Sequence, residues 1–291
     1  KKLINKKNFF LIMQIIPNNL YIVSTPIGNL DDITLRAINV IKNSDLILCE
    51  DTRRSIKLLN HLNIKKKLIS FHKFNERKKI SSIIEYIKQG KILSLISDAG
   101  TPLISDPGRS LINECIKEKI EVTPIPGASS VISAISVSGF SDQFIFYGFL
   151  PKKNNELEKA LKSLSKINYS QVFFAPSNKL NFYIQSFKKY YSGRKLLVAK
   201  EITKLHEVFF RDDVNNFKLF KTPLKGELTI VISEKNYKDK IFNEKKIIKK
   251  AKKYLKSLSV KDTVDIIFKS EKMNKKKIYE LCLKIKDEKN S

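Results

Sequence analysis

The chain lacks several features that mark common protein classes. It has no tryptophan, only three cysteines and three histidines, and no apolar run near the ~20 residues that a membrane-spanning helix needs. Cys49, Cys115 and Cys282 are too scattered for a disulfide framework or a metal-ligand spacing, so we expect free thiols in a reducing, cytoplasmic compartment. The sequence therefore predicts neither a membrane protein nor a metal site.

Common nucleotide-binding and catalytic motifs are also missing. No glycine-rich turn leads into Gly-Lys-Ser/Thr, and residues 28–30 (GNL) do not continue into the dinucleotide-binding pattern, which disfavours ATP and NAD. The histidines have no recognisable nucleophile partner. His61 and His206 are expected to be structural. His72 lies at the end of a predicted strand, and two alternatives stay open for it: a structural role and a position lining the cleft.

Positive charge is the feature in excess. The 291 residues include 56 Lys and Arg against 29 Asp and Glu, a formal net charge of +27. A polyanionic partner such as RNA is one explanation. Codon bias in an AT-rich genome is a second, because Lys, Asn and Ile are abundant and Arg is rare. Composition alone leaves both explanations open.

The first residues are not interpreted as part of the fold. Basic residues before a short apolar run superficially match a signal peptide, but no small-residue cleavage site follows and a strand-like segment comes at once. The chain does not begin with Met, whereas Met13 stands just before the globular pattern. We expect residues 1–12 to be non-native or an upstream misread, within an N-terminal extension over 1–19.

Residues 20–141 alternate between strand-like and helix-like patterns. The predicted strands are residues 20–25, 45–50, 67–72, 91–97 and 121–126. Asp32 is the expected N-cap of the first helix, and Gly90 is expected to end the third. Strands separated by helices predict an α/β domain with a mostly parallel sheet and helices on both faces.

The rest of the chain divides into two further predicted domains. Residues 142–238 mix strand-like runs with helices, including a short helix near 214–220, and predict a second α/β domain with mixed strands. Residues 239–291 are Lys-rich and predict a small helical domain. Its three helices are expected at 247–258, 260–270 and 275–285.

Three polar loops follow strands of the first domain. They are residues 25–32 (TPIGNLDD), 98–108 (DAGTPLISDPG) and 126–130 (PGASS). Carboxyl ends of parallel strands meet at one edge of a sheet, where open α/β sheets bind their ligands, so we expect the loops to converge on a small polar molecule. Glycine permits close backbone approach, and the third loop precedes a helix whose free amides suit an anion.

These loops and several charged segments together resemble the tetrapyrrole methylase superfamily of S-adenosylmethionine-dependent methyltransferases. Within it, the resemblance is to the subfamily that 2′-O-methylates a cytidine in the decoding region of bacterial 16S ribosomal RNA. It spans residues 20–286 and is strongest in TPIGNLDDIT and SDAGTPLISDPG. The matching segments are residues 20–37, 50–53, 72–76, 97–108, 124–130, 148–151, 199–204 and 225–227.

The resemblance implies two α/β domains with S-adenosylmethionine in the cleft between them, a basic helical C-terminal domain and a homodimer acting on 16S rRNA in the small ribosomal subunit. The cofactor-binding candidates are Pro26, Ile27, Gly28, Asp98, Thr101, Ser105, Ser129 and Ser130. Asp98 is expected to accept from the cofactor's ribose or amino group, and the hydroxyls to bind its carboxylate. Gly28, Pro102, Asp106 and Gly108 have the alternative role of shaping turns.

The same resemblance points to four candidates for catalysis. They are Asp51, Arg53, Lys200 and Glu201. A ribose hydroxyl is a weak acid, so one of the carboxylates is expected to take its proton, and one of the cations to lower its pKa or hold the adjacent phosphate.

The chain departs from the family's usual pattern at some positions. Ala175 and Asn178 stand where relatives have an acid and a histidine, Phe74 replaces a second histidine, and Lys200 replaces an arginine and loses its planar fork. No role of the replaced side chains is carried over. Two alternatives stay open: a methylase that acts on a tetrapyrrole, and a non-catalytic RNA-binding relative.

Overall fold

The structure is a computed structural model that describes residues 15–235, 244–271 and 275–290. The expectation for residues 1–12 lies outside these ranges, as does the boundary predicted at residue 239. Within the described ranges the chain forms two β-sheets flanked by helices, followed by a group of three helices.

The first sheet is parallel, as predicted. Its strands are β1 (Asn19–Val23), β2 (Leu46–Cys49), β3 (Lys67–Ser70), β4 (Leu93–Ile96) and β5 (Glu121–Ile125), in the order β3-β2-β4-β1-β5. The helices that follow them are α1 (Leu35–Asn43), α2 (Thr52–His61), α3 (Glu76–Lys88), α4 (Arg109–Lys117) and α5 (Ser130–Ser136).

Successive side chains of β1 point to opposite faces of this sheet, and helices cover both faces. Leu20 and Ile22 pack against α3 and α4 on one face, and Tyr21 and Val23 pack against α1 and α2 on the other. A strand that is buried on both faces is apolar throughout, which explains its continuous hydrophobic sequence.

Local capping confirms one prediction and corrects another. Gly90 has a φ of +89° just after α3, as expected for a residue that ends a helix. Asp32 as the N-cap of α1 is wrong: it lies in a 3₁₀ turn over Leu30–Asp32. The cap is Thr34, whose hydroxyl accepts from the amide of Ala37 at 3.1 Å, because Ile33 is extended and delays the helix.

The second sheet is mixed, also as predicted. Its strands are β6 (Phe144–Phe149), β7 (Ser170–Pro176), β8 (Lys195–Lys200), β9 (Val208–Asp213) and β10 (Glu227–Ile232), with α6 (Asn154–Leu164) and α7 (Leu180–Tyr190) between them. The order is β6-β7-β10-β8-β9, and only the β6–β7 pair is parallel.

The short helix predicted near 214–220 is wrong. Residues 214–216 form a turn, and residues 217–220 have no regular structure. Val214 and Phe217 insert into the core of the second sheet. The side chain of Asn181 accepts from the amide of Phe220 at 3.0 Å and donates to its carbonyl at 2.8 Å. Tertiary hydrogen bonds therefore replace the helical ones.

The two sheets are joined through one shared apolar cluster. Ile27 from the first loop and Val131 and Ala134 from α5 pack against Val172 and Leu197 of the second sheet. The other face of that sheet is covered by α6 and α7. The first-domain loops are thereby held against the second sheet.

The C-terminal segment forms three helices around a separate small core, as predicted. They are α8 (Glu244–Tyr254), α9 (Val260–Glu271) and α10 (Lys275–Asn290). Buried side chains such as Ile247, Ile267 and Ile278 face one another, and most of the lysines are exposed. None of the helices in the described part of the chain is long and apolar enough to cross a membrane.

Candidate active site

The three polar loops converge, as expected from the parallel sheet. The backbones of Thr25 and Gly100 exchange two hydrogen bonds of 2.9 and 3.0 Å. Ser24 Oγ lies 3.0 Å from Thr101 Oγ1. The third loop passes so close that a Cβ on Gly127 would lie 2.9 Å from Cβ of Ser24. Glycine is therefore required where these loops pack together.

A cavity of about 330 Å³ lies between these loops and the second sheet. The first domain contributes hydroxyl and carboxyl groups, and the second contributes mostly apolar and small side chains such as Phe174, Ala175 and Ala199. This volume is in the range of small-molecule sites, and an apolar lining with a few polar groups is their usual composition. The cavity is therefore the candidate active site.

Most of the cofactor-binding candidates line this cavity. Those that do are Ile27, Asp98, Thr101, Ser105, Ser129 and Ser130. Pro26 and Gly28 are not in the lining. Gly28 instead packs against Lys204, where any Cβ would collide, and the adjacent amide of Asn29 donates to Thr203 Oγ1 at 3.0 Å. The structure thus gives Gly28 a role in joining the two domains; its contact with a cofactor stays a prediction.

Asp98 is a carboxylate with a defined orientation in the cavity. Its Oδ1 accepts from the backbone amide of Asp51 at 3.1 Å, and its Oδ2 lies 3.5 Å from Nε of Arg54. Arg54 also lines the cavity. These contacts tie the charged segment after β2 to the 98–108 loop.

Asp106 is a lining residue whose chemistry the sequence analysis missed. Burial raises its pKa to about 6, and the negative charge of Glu50 adds to the increase, against a hydrogen bond with Ser97. The sequence signal for a second carboxylate was present in the 98–108 loop, but nothing in the sequence distinguished a turn-forming aspartate from one that is partly withdrawn from solvent.

The loop that carries Asp106 has an unusual backbone. Leu103 and Ser105 have φ values of +73° and +71°, which non-glycine residues rarely adopt. Such conformations cost free energy and concentrate at functional sites. Ser105 lines the cavity, so the strained segment is also one that faces the candidate active site.

Asp51 and Arg53 pair with each other and do not line the cavity. Asp51 caps α2: its Oδ1 accepts from the amide of Arg53 at 2.9 Å, and Nη2 of Arg53 lies 2.6 Å from its Oδ2. The hydrogen bonds from Arg53 lower the pKa of Asp51 to about 2. The neighbouring Arg54 is the arginine that faces the cavity, which sequence reasoning did not anticipate.

Lys200 and Glu201 support the cavity from outside its lining. Glu201 Oε1 accepts from the amide of Glu227 at 2.7 Å and from Lys204 Nζ at 3.1 Å. Burial opposes the ionisation of Glu201, but these hydrogen bonds outweigh it and lower its pKa. Lys200 Nζ donates to the carbonyl of His206 at 3.3 Å. Glu201 thus positions Glu227, which does line the cavity.

The remaining positions of interest divide between the cavity and the surface. Ala175 lines the cavity, and Asn178 lies outside its lining, in a 3₁₀ turn. His72 is not in the lining; its ring contacts the side chain of Asn75 at 3.1 Å and accepts from the amide of Phe74 at 3.3 Å. A structural role therefore accounts for His72.

Sequence comparison identifies relatives of the whole fold. Residues 19–217 match the family model described as Tetrapyrrole (Corrin/Porphyrin) Methylases. A Thermotoga maritima protein is 47% identical over 221 residues, which are 74% of this chain and 98% of that protein. A Rickettsia prowazekii protein is 39% identical over 278 residues, which are 94% of this chain and 99% of that protein. Both bear the name Ribosomal RNA small subunit methyltransferase I.

Solved structures show the same architecture. Uroporphyrin-III C-methyltransferase from Thermus thermophilus, in complex with S-adenosyl homocysteine, matches with a TM-score of 0.54 and 11% identity, over 74% of this chain and 97% of that chain. A diphthine synthase matches with a TM-score of 0.56 and 13% identity, over 74% of this chain and 90% of that chain. At these identities the likeness shows the fold alone, and it confirms the predicted fold class.

Proposed function

The chain belongs to the tetrapyrrole methylase family, within the group of ribosomal RNA small subunit methyltransferase I, and from this membership we propose that it transfers a methyl group to the 2′-oxygen of a cytidine in the decoding region of 16S rRNA. The observation that carries the proposal is the inter-domain cavity, because it joins a polar first-domain wall to an apolar second-domain wall. A location in the cytoplasm and a homodimer are part of the same proposal.

The lining residues fit S-adenosylmethionine by their chemistry. Asp98 offers a carboxylate for a ribose diol or an ammonium group, Thr101 and Ser105 offer hydroxyls, and Ile27 and Ile202 offer apolar contacts. When bound, this cofactor supplies an electrophilic methyl group on a sulfonium centre. The 98–108 loop would hold it through Asp98, Thr101 and Ser105, with the 126–130 loop opposite.

The chain's own contribution is positioning and the handling of one proton. A defined cavity aligns the reacting groups and excludes water, and alignment can supply up to ~7–11 kcal/mol of a barrier. We assign proton acceptance from the ribose hydroxyl to the carboxylate of Asp106, because a pKa near 6 makes it a better base than an ordinary carboxylate while leaving it ionised at neutral pH.

The four candidates predicted from the sequence fit positioning roles better. A lowered pKa makes Asp51 and Glu201 weak bases. The side chain of Asp51 caps α2, and that of Glu201 accepts from the amide of Glu227, which lines the cavity. Arg53 is engaged by Asp51, and Lys200 by a backbone carbonyl. A direct part in catalysis for these residues stays a prediction.

Binding of rRNA is assigned in part to the C-terminal helices. Exposed lysines occur on all three, including Lys252 and Lys253 on α8, Lys261 on α9 and Lys284 on α10. Such a surface attracts the phosphate backbone and releases counterions on binding, which makes the affinity dependent on salt. This supports RNA over a tetrapyrrole as the substrate.

The experiment that tests the proposal is a map of 2′-O-methylation along 16S rRNA. Cells that lack the gene should lose one cytidine modification in the decoding region, and cells that regain it should recover the modification. A changed tetrapyrrole product with unchanged rRNA would support the tetrapyrrole methylase instead. Unchanged rRNA and unchanged tetrapyrroles, with rRNA still bound by the protein, would support the non-catalytic relative.

A further inference from the structure

Phe149 is a large apolar side chain that lines the cavity and still is 60% exposed. It therefore lies at the cavity's rim, with one face of the ring open. Single exposed apolar residues are common and need no explanation by themselves. The case for a role depends on how the backbone places this ring.

A β-bulge turns Phe149 toward the cavity. In a regular strand, Phe146 and Phe149 would point to opposite faces. The pairing of β6 with β7 shifts between Phe146 and Gly148, so that Phe149 lies opposite Phe174. Both rings now flank Phe174, at centroid distances of 5.0 Å for Phe146 and 5.3 Å for Phe149. Bulges that re-aim a side chain are frequent beside active sites.

The bulge also brings β6 against the first domain. Gly148 has a φ of +88°, and a Cβ there would lie 3.3 Å from Oγ of Ser105 in the strained loop. The ring of Phe149 is tilted by 59° against Phe174, which supports it from one side. Phe149 is thereby fixed where the two domains meet, whereas Phe146 and Phe174 pack into the inter-domain cluster.

The surroundings of the ring suit an unstacked nucleotide. Lys152 and Lys153 follow Phe149 closely in the chain and are exposed, and Arg54 lines the same cavity. Proteins that hold single-stranded RNA combine aromatic rings, on which bases stack, with cations that hold the phosphates. Enzymes that must reach an atom enclosed in a duplex commonly swing the nucleotide out of the stack.

We propose that the open face of Phe149 stacks on the base of the target nucleotide and thereby positions its ribose at the cavity. This inference rests on the proposed function, because it requires an RNA substrate. Stacking tolerates any base, so Phe149 orients the nucleotide and leaves the choice of cytidine to other contacts.

The test compares Phe149→Leu with Phe149→Tyr in the full-length protein. Single-turnover methylation of 30S subunits is measured at saturating S-adenosylmethionine, with the Tm and the affinity for S-adenosylhomocysteine of each variant. Phe74→Leu is the matched control, since it makes the same change at a ring that is 90% exposed and outside the cavity lining. We expect Phe149→Leu to be about 10- to 100-fold slower, the range expected when a base stack is removed. Phe149→Tyr, Phe74→Leu and all Kd values for S-adenosylhomocysteine should stay near wild type.

Each other outcome has a defined meaning. A rate for Phe149→Leu equal to that of Phe74→Leu overturns the inference and leaves the proposed function intact. If Phe149→Leu loses affinity for S-adenosylhomocysteine by the same factor as it loses methylation rate, the inference is also overturned, because the ring would then contact the cofactor. A wild-type protein that binds S-adenosylhomocysteine but does not methylate 30S subunits contradicts the proposed function, and the inference fails with it.

Discussion

Asp106 shows how the surroundings of one carboxyl decide its chemistry. Asp98 and Asp106 lie in the same loop and line the same cavity, but their surroundings differ. Partial burial raises the pKa of Asp106 to about 6, and the negative charge of Glu50 adds to the increase. Asp98 accepts a hydrogen bond from the backbone amide of Asp51 and lies near the guanidinium of Arg54, and these contacts define its orientation. One carboxylate is thus suited to holding a ligand, and the other to accepting a proton.

The pH dependence of the reaction tests the role of Asp106. Because its raised pKa keeps it protonated below about pH 6, the single-turnover rate at saturating cofactor should rise through pH 6 and level off above it. Asp106→Asn should lower the plateau and remove this inflection. Asp51→Asn is the control, since Asp51, with a pKa of about 2, does not titrate in this range. An inflection that survives in Asp106→Asn would assign the proton to another group.

Stability provides a check that lost activity in Asp106→Asn is not lost folding. A carboxyl with a raised folded pKa stabilises the protein most below its unfolded pKa, and that contribution is lost as the pH rises through the folded value. Replacing Asp106 by a neutral amide removes this loss. The Tm of Asp106→Asn at pH 8 should therefore equal or exceed that of the wild type, as measured by calorimetry.

Adding a Cβ at Gly226 tests how tightly the second-domain wall of the cavity is packed. It has a φ of +101°, and a Cβ there would lie 2.5 Å from Glu201 Cδ. Gly226→Ala should cost more than the ~1–2 kcal/mol expected for a left-handed backbone alone, and should weaken S-adenosylhomocysteine binding. Gly193→Ala is the control, because Gly193 has a φ of +75° and no neighbour within 4 Å. Equal losses of stability in the two variants would exclude a packing role for Gly226.

At the scale of the element, the N-terminus of α2 connects the charged segment after β2 with the 98–108 loop after β4. Asp51 caps the helix with its side chain and donates its own amide to Asp98. Asn caps a helix as well as Asp does, but it neither accepts a proton at neutral pH nor forms an ion pair.

Substitution at Asp51 therefore separates capping from catalysis. Asp51→Asn should keep the wild-type Tm and most of the single-turnover rate, whereas Asp51→Ala should lower the Tm because α2 loses its cap. Calorimetry and methylation of 30S subunits measure the two effects. A rate that collapses in Asp51→Asn with an unchanged Tm would restore Asp51 to the catalytic candidates.

Elements with a strong hydrophobic period were predictable from the sequence, and elements that depend on tertiary partners were not. The apolar runs of β1 and β4 are long enough to indicate buried parallel strands. The irregular segment 217–220 depends on Asn181, which lies far away in sequence and binds the backbone of Phe220. The start of α1 depends on the extended Ile33, which no periodicity reveals.

The site was predictable at the scale of its loops and less so at the scale of its side chains. Convergence of the 25–32, 98–108 and 126–130 loops follows from the parallel sheet alone. Which of Arg53 and Arg54 faces the cavity, and how far Asp106 is withdrawn from solvent, depend on how the folded loops pack together, so the sequence carries no signal for them.

At the scale of the whole molecule, a dense group of exposed lysines lies in a different part of the chain from the cavity. The cavity is formed by the two α/β domains, and a cluster of exposed lysines is carried by α8 to α10, which have a hydrophobic core of their own. This separation suggests that the C-terminal helices contribute affinity for RNA and that the cavity contributes the chemistry.

The salt dependence of 30S binding tests this division. Replacing Lys252 and Lys253 together by Glu should weaken binding and reduce the slope of log K against log salt, by about 0.7–0.9 for each phosphate that the protein no longer neutralises. S-adenosylhomocysteine affinity should not change. Replacing Lys65 and Lys67 by Glu makes the same charge change elsewhere on the surface. Equal effects of the two pairs would mean that net charge alone, rather than the C-terminal helices, drives binding.

The most direct test of the whole account is to locate the methyl group that the purified protein transfers. Wild-type protein is incubated with 30S subunits from cells lacking the gene and with S-adenosylmethionine labelled in its methyl group, and the labelled nucleotide is identified by digestion and mass spectrometry. The account predicts label on the 2′-oxygen of one cytidine in the decoding region of 16S rRNA. Label on a base, label on another RNA, or no transfer while S-adenosylhomocysteine still binds would contradict it.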